Sequence, residues 1–299
     1  MIVVFGSINL DLIFALPSIP RPGETVLGPG TRIEPGGKGA NQAVAAARDG
    51  AAVIMAGAVG RDALADGALR LLRAAETDLS RVLATDAATG CAAIAVDPAG
   101  NNAICVGSGA NRLARADLVE DALLSPAATL VLQMELPATE TAALIRRARA
   151  KGARIVLNLA PAMPLADDAL RAVDLLVVNK TESAWLAGHL DCAGDAAGLH
   201  TALGVGVVRT LGADGIDAAT AAGVLRLPAC AVRPVDTTAA GDCFVGVLAA
   251  ALDRGAALDA ALHRANAAAA LCCTRAGSQG SIPVAAETDQ FIGSANPAS

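Results

Sequence analysis

The chain has 299 residues, a formal net charge of −6, 54% hydrophobic residues and only 2% aromatic ones. That length holds one large α/β domain or two ordinary ones, and the acidic balance without any basic block argues against a nucleic-acid-binding surface. No apolar run reaches the ~18 residues of a membrane span, and "MIVVFGSINLD" has neither the basic flank nor the cleavage site of a signal peptide.

In chain order, β-branched apolar runs at 2–5, 52–56, 129–133, 154–158, 175–179 and 206–210 predict short strands buried on both faces of a parallel sheet. Ala/Leu/Arg-rich stretches at 40–49, 62–75, 137–151 and 181–188 predict crossover helices between them. The alternation describes a doubly wound, mostly parallel α/β fold flanked by helices. Two segments break the rhythm. Residues 10–35 carry "PSIPRPGETVLGPG" between strand-like pieces, and 90–107 reads as a hairpin around "DPAGNN". They predict a small β-sheet lid on a single domain spanning 1–299. After residue 211 a β-meander is expected over 215–234, then long helices near 240–253 and 256–274.

Seven cysteines (Cys91, Cys105, Cys192, Cys230, Cys243, Cys272 and Cys273) form no C-x-x-C pair, and the adjacent Cys272 and Cys273 have no histidine at ligand spacing from them. They read as small core residues of a reducing compartment, so a cytoplasmic protein without a metal cluster is expected.

No Walker A loop and no G-x-S-x-G elbow is present. "EPGGKGANQA" places glycines, Lys38 and Asn41 at a helix start, suited to hydroxyls or phosphate, or else a flexible loop with a solvated lysine. Asn9 and Asp11 follow the first strand, where an Asx turn is the plain alternative to a ligand site. Glu135 and Asn158 also sit just past strands. Asn179 and Glu182 have the spacing of a capping pair and equally of a metal-water site. Thr210, Gly212 and Gly215 form a turn suited to a nucleotide or to a plain hairpin. "DTTAAGDCF" at 236–244 is either a helix start capped by its aspartate or a set of amides facing an anion beside a proton acceptor. The joint placement of these polar groups on one sheet edge points to a polar ligand there.

"GGKGANQAVAAARDG…G" (36–60) and "DTTAAGDCFVGVLA" (236–249) together resemble the two signatures of the ribokinase-like (PfkB) family of sugar and nucleoside kinases, and the likeness covers the whole chain. The resemblance implies a kinase of D-ribose with ATP; deoxyribose, fructose, a sugar acid or a nucleoside is the alternative acceptor, and an inactive sugar sensor a further one. It makes Asp242 the catalytic base, with an anion hole from Ala239, Ala240 and Gly241. Sugar would be held by Asn9, Asp11, Gly37, Lys38, Asn41 and Glu135, together with Asp242. Nucleotide would lie at Asn179, Thr210, Gly212, Gly215, Gly241 and Asn266, the last replacing a histidine common in the family. Mg²⁺ is implied near Glu182 through water, and K⁺ as activator near Asp236, Thr238, Cys272, Arg275, Gly277 and Ser281. A homodimer through the lid sheet is implied as well. The scarcity of aromatics leaves little expected cover for a nucleobase, and the short stretch at 190–210 predicts a trimmed helix there.

Overall fold

The computed structural model describes residues 1–295. Strands β1 (Ile2–Phe5), β2 (Asn9–Ala15) and β3 (Gly30–Gly36) lead into helix α1 (Lys38–Arg48). Next come β4 (Val53–Gly60), α2 (Ala63–Ala74), β5 (Asp78–Thr85), β6 (Gly90–Val96) and β7 (Asn102–Gly107). The middle holds β8 (Thr129–Leu132), α3 (Ala138–Lys151), β9 (Arg154–Asn158), α4 (Asp167–Leu170), β10 (Leu175–Asn179), α5 (Lys180–Leu190) and α6 (Ala196–Leu203). The chain ends with β11 (Gly206–Thr210), β12 (Ile216–Thr220), β13 (Gly223–Leu227), α7 (Ala240–Asp253), α8 (Leu258–Cys273) and α9 (Ala285–Ala295).

Nine strands form one sheet in the order β13-β12-β11-β10-β9-β8-β1-β4-β5, with β12 alone running antiparallel to the rest. The β-branched runs foreseen as doubly buried strands lie at its centre for a simple reason. Successive side chains point to opposite faces, and both faces are covered. Ile2 and Val4 pack with α1, α7 and α8 residues, whereas Val3 and Phe5 pack with α3 and α5 residues on the other side. A second sheet, ordered β3-β2-β6-β7, joins the two segments that interrupt the α/β rhythm, with β2 and β6 parallel.

The sequence reading and the structure differ at β5 and after the β12–β13 hairpin, and agree at α6. The edge strand β5 was not foreseen, because its "DLSRVLAT" is partly exposed and lacks a continuous apolar run. The meander expected over 215–234 is only the β12–β13 hairpin; Pro228 and Pro234 bring no N–H to a further ladder. Short α6 is the trimmed helix, started by Asp195, whose side chain accepts from Gly198 N–H.

The parallel strands place their carboxyl ends on one edge, and β1 has β8 on one side and β4 on the other. Crevices at such edges are where ligands sit in doubly wound sheets.

Candidate active site

The end of β1 and the start of α1 form a polar cradle. Asn9 is 3% exposed, and its Oδ1 accepts from Asn111 Nδ2 at 2.7 Å. Asn111 also receives the Ile8 N–H (2.9 Å) and donates to the Ile8 carbonyl (3.2 Å), so one buried amide fixes the whole turn after β1. Sequence reasoning missed Asn111, whose only signal is an unremarkable "GANRL" far along the chain. Asp11 lies two residues on, pressed against Gly36: a Cβ there would sit 2.0 Å from the Asp11 carboxylate. Burial first, then the charges of Glu135, Glu34 and Asp242, push the Asp11 pKa up to about 7.

Glu135 accepts from Ser7 Oγ (2.5 Å) and from the Lys38 backbone N–H (3.1 Å), which supplies an acceptor to the uncapped start of α1. Gly37 takes φ +88°, and a Cβ on it would meet Asn9 N at 2.8 Å, so the cradle needs glycine here. Lys38 is not the solvated lysine of a loose loop. The Asp242 charge, aided by Glu135 and Glu182, raises its ammonium pKa against the opposing effect of burial. Asn9 and Glu135 open onto a cavity of about 690 Å³, also walled by Val106, Met134, Leu136 and Met163.

Asp242 stands in the first turn of α7 and is 7% exposed. Its carboxylate does not cap the helix. Oδ2 accepts from Asn41 Nδ2 and Oδ1 from Gln42 Nε2, each at 2.9 Å. Two consecutive residues of α1 thereby hold one carboxylate. The Asn41 Oδ1 is buried and has no protein partner among the described residues, which leaves an acceptor for a ligand hydroxyl.

No side chain caps α7. Ala239 takes the left-handed conformation at φ +59°, rare for a residue with a Cβ. Ala240 N–H reaches the Thr237 carbonyl only at 3.3 Å, and among the described residues the Gly241 and Asp242 amides have no backbone acceptor. A Cβ on Gly241 would meet nothing within 4 Å, so this first turn is open on that side.

Behind them is a cavity of about 460 Å³ lined by Thr210, Gly212, Gly215, Gly241 and Asn266, with apolar walls from Ile216, Val232 and Phe244. Its shape rests on Gly215 (φ +89°), where a Cβ would lie 2.0 Å from the Leu227 carbonyl. Asn266 gives its Nδ2 to the Pro228 carbonyl at 2.8 Å. Asn179 does not line this cavity, though it pairs with Thr210 in register. It caps α5 in a reciprocal box with Glu182, each side chain accepting the other's N–H at 2.8 Å. Glu182 is buried, which raises its pKa, and only its Oε2 is used by the box.

The remaining residues fall into two touching groups. Asp236 accepts from Thr238 N–H (2.9 Å) and Gly277 N–H (3.0 Å). Burial opposes its ionisation, but these hydrogen bonds outweigh burial and hold the carboxyl below its ordinary range. Cys272 Sγ lies 3.0 Å from Ser281 Oγ and 4.0 Å from the Thr238 carbonyl. The Arg275 guanidinium is committed elsewhere, to Glu287 at 2.7 and 3.1 Å, so only its backbone is left for this site. Among the described residues no three His, Cys, Asp or Glu side chains gather as a metal cluster.

The sequence pattern of the pfkB family of carbohydrate kinases matches residues 1–285. The ribokinase of Haemophilus influenzae is 34% identical over 299 residues, covering 97% of this chain and 98% of that protein. A ribokinase structure from Thermotoga maritima superposes with a TM-score of 0.89 at 31% identity, covering 97% of this chain and 98% of that one. An Arabidopsis thaliana ribokinase complexed with ribose and ATP gives 0.87 at 27% identity, covering 97% and 98%. With the signature segments of α1 and α7 joined at the Asp242 carboxylate, and likeness over nearly the whole chain, the chain belongs to the pfkB family of carbohydrate kinases, phosphotransferases that act on an alcohol group.

Proposed function

We propose that this chain transfers the γ-phosphoryl group of ATP to O5 of D-ribose, giving D-ribose 5-phosphate and ADP. One observation carries the reading: Asp242, gripped by Asn41 and Gln42, sits at the helix start that separates the cradle from the cavity. Asn9, Asp11, Gly37, Lys38, Asn41 and Glu135 hold the sugar hydroxyls, and Thr210, Gly212, Gly215, Gly241 and Asn266 take the nucleotide, with Asn179 at its rim.

Phosphoryl transfer is mostly alignment and charge stabilisation. Asp242 accepts the O5 proton as that oxygen attacks in line, a role worth ~10²–10⁴-fold. The amides around Ala239, Ala240 and Gly241 face the charge developing on the phosphoryl group, and the positive end of α7 adds to them. Mg²⁺ bound to the phosphates would neutralise their charge, and the free oxygen of Glu182 suits one of its waters. For K⁺, the fitting donors are Asp236 and the carbonyl oxygens of Thr238, Cys272, Arg275, Gly277 and Ser281, which adjoin the start of α7. The small sheet acts as a lid that excludes water from the reaction.

The exposed edge strand β7, with Ile104 and Val106, and Ile33 on β3 offer apolar surface to a second copy of the chain, in keeping with a homodimer. No helix among the described residues is long and apolar enough to cross a membrane; we place the enzyme in the cytoplasm.

A nucleoside acceptor is the second reading. The cavity beyond Asn9 and Glu135 has more apolar wall than the aromatic-poor sequence promised, from Met134, Leu136, Pro161 and Met163. A coupled assay with ATP and Mg²⁺ across ribose, 2-deoxyribose, fructose and adenosine, in K⁺ and in Na⁺, decides between them. Ribose is expected to turn over best, and faster in K⁺. Preference for adenosine or fructose, or no turnover of any acceptor, contradicts the assignment.

A further inference from the structure

Asp242 is met by an amide that no sugar, nucleotide or cation role requires. Gln42 is fully buried, and its Nε2 donates both to Asp242 Oδ1 (2.9 Å) and to Asn158 Oδ1 (3.0 Å). Its Oε1 accepts from Gln133 Nε2 at 2.7 Å. Asn158 in turn donates to the Val177 carbonyl at 3.2 Å, which turns its own oxygen toward Gln42.

This network has a direction. If Gln42 were flipped, its oxygen would face a carboxylate and a second amide oxygen, while its N–H groups would face the Gln133 donor. Gln133 has room only because residue 6 is glycine: a Cβ there would lie 2.1 Å from Gln133 Oε1. Gln133 and Asn158 come from the ends of β8 and β9, and Val177 from β10, so the rigid edge of the central sheet reaches a carboxylate on α7 through one side chain of α1.

We propose that Gln42 is a positioning residue for the phosphoryl-transfer base: it holds the Asp242 carboxylate in the rotation that meets the acceptor hydroxyl, with Gln133 and Asn158 fixing the orientation of its amide. Asn41 alone holds that carboxylate at one oxygen and leaves the other free to swing. Gln42 acts through Asp242 and is assigned no contact with the sugar. The proposal rests on the reading of Asp242 as the base.

The test uses Gln42→Met, which keeps the volume and removes donor and acceptor together. Turnover is expected to fall roughly 10–100-fold, the loss of a hydrogen bond to a charged group. The ribose dissociation constant, read by calorimetry without ATP, is expected to stay within about threefold. Gln133→Met is expected to lower kcat by a smaller factor, and to add nothing when Gln42 is already methionine. The double variant leaves neither member of that pair unpartnered, so it serves if a single variant does not fold. A kcat for Gln42→Met within twofold of the parent, a loss confined to KM, or fully additive losses overturns the proposal. Asp242→Asn run alongside separates the two ideas. Near-normal turnover in Asp242→Asn removes the base assignment, whereas an inactive Asp242→Asn beside an unimpaired Gln42→Met removes only the positioning role.

Discussion

Gly246→Ala tests whether the α1–α7 contact sets the catalytic geometry. Gly246 lies one turn beyond Asp242 on the same face of α7. A Cβ there would stand 2.4 Å from the Gln42 carbonyl oxygen and 2.5 Å from the Ala45 Cβ, where ordinary contact begins at 3.4 Å. Relieving that overlap moves α7 off α1 by about 1 Å. The two 2.9 Å bonds from Asn41 and Gln42 to Asp242 would then stretch beyond the ordinary range for N–H···O. Overpacking of this kind costs about 1–3 kcal/mol, a fall in Tm of roughly 2–5 °C for a domain of this size. Misplacement of a reacting group by about 1 Å costs on the order of 10²-fold in rate. Gly188→Ala on α5 is the control, because nothing lies within 4 Å of its added Cβ. Thermal unfolding and coupled turnover of both variants provide the measurement. A Gly246→Ala protein with parental Tm and a kcat within twofold would show that the α1–α7 contact does not set the geometry of Asp242.

Asp11 makes the empty protein less stable as pH rises. Its folded pKa of about 7 stands above the ordinary 3.8, so the folded state retains a proton that the unfolded chain releases. The stabilisation is complete below about pH 4 and lost as pH passes 7. Denaturant unfolding should show Asp11→Asn gaining on the parent over that window, by on the order of 2–4 kcal/mol; a gain by the parent would be the wrong sign. Away from the site, Asp49 joins three helices. Its carboxylate, 1% exposed, accepts from Arg254 (2.7 Å) on the C-terminal side of α7 and Arg264 (2.7 Å) in α8. Asp49→Ala leaves both guanidinium groups without it and should cost roughly 2–4 kcal/mol in denaturant unfolding. An unchanged midpoint would contradict that account.

Much of the architecture is legible in the chain because burial on both faces imposes a simple pattern: "IVVF", "RIVLN" and "LLVVN" admit few alternatives. Strand β5 escapes because an edge strand keeps polar residues on its open side. The glycines of "EPGGKGANQA" and "TLGADG" mark backbone that other residues avoid, since Gly37 and Gly215 both take positive φ. What stays hidden depends on distant partners. Gln42 reads as one more polar residue at a helix start, and only the ends of β8 and β9 give it a task. Asn111 is over a hundred positions from the turn it holds. The apolar wall beside Asn9 is assembled from Val106, Met134 and Pro161, three segments with no common local signal. Ala239 gives no hint in sequence that it would take a positive φ.

One carboxylate, Asp242, is proposed to take the acceptor proton while its surroundings bind the sugar. Asp242→Asn separates the two roles, with ribose binding measured by calorimetry and turnover by a coupled assay with ATP. Binding within a few-fold of the parent, together with a kcat lower by ~10²–10⁴-fold, is the predicted result. Turnover close to that of the parent, with binding intact, would contradict it.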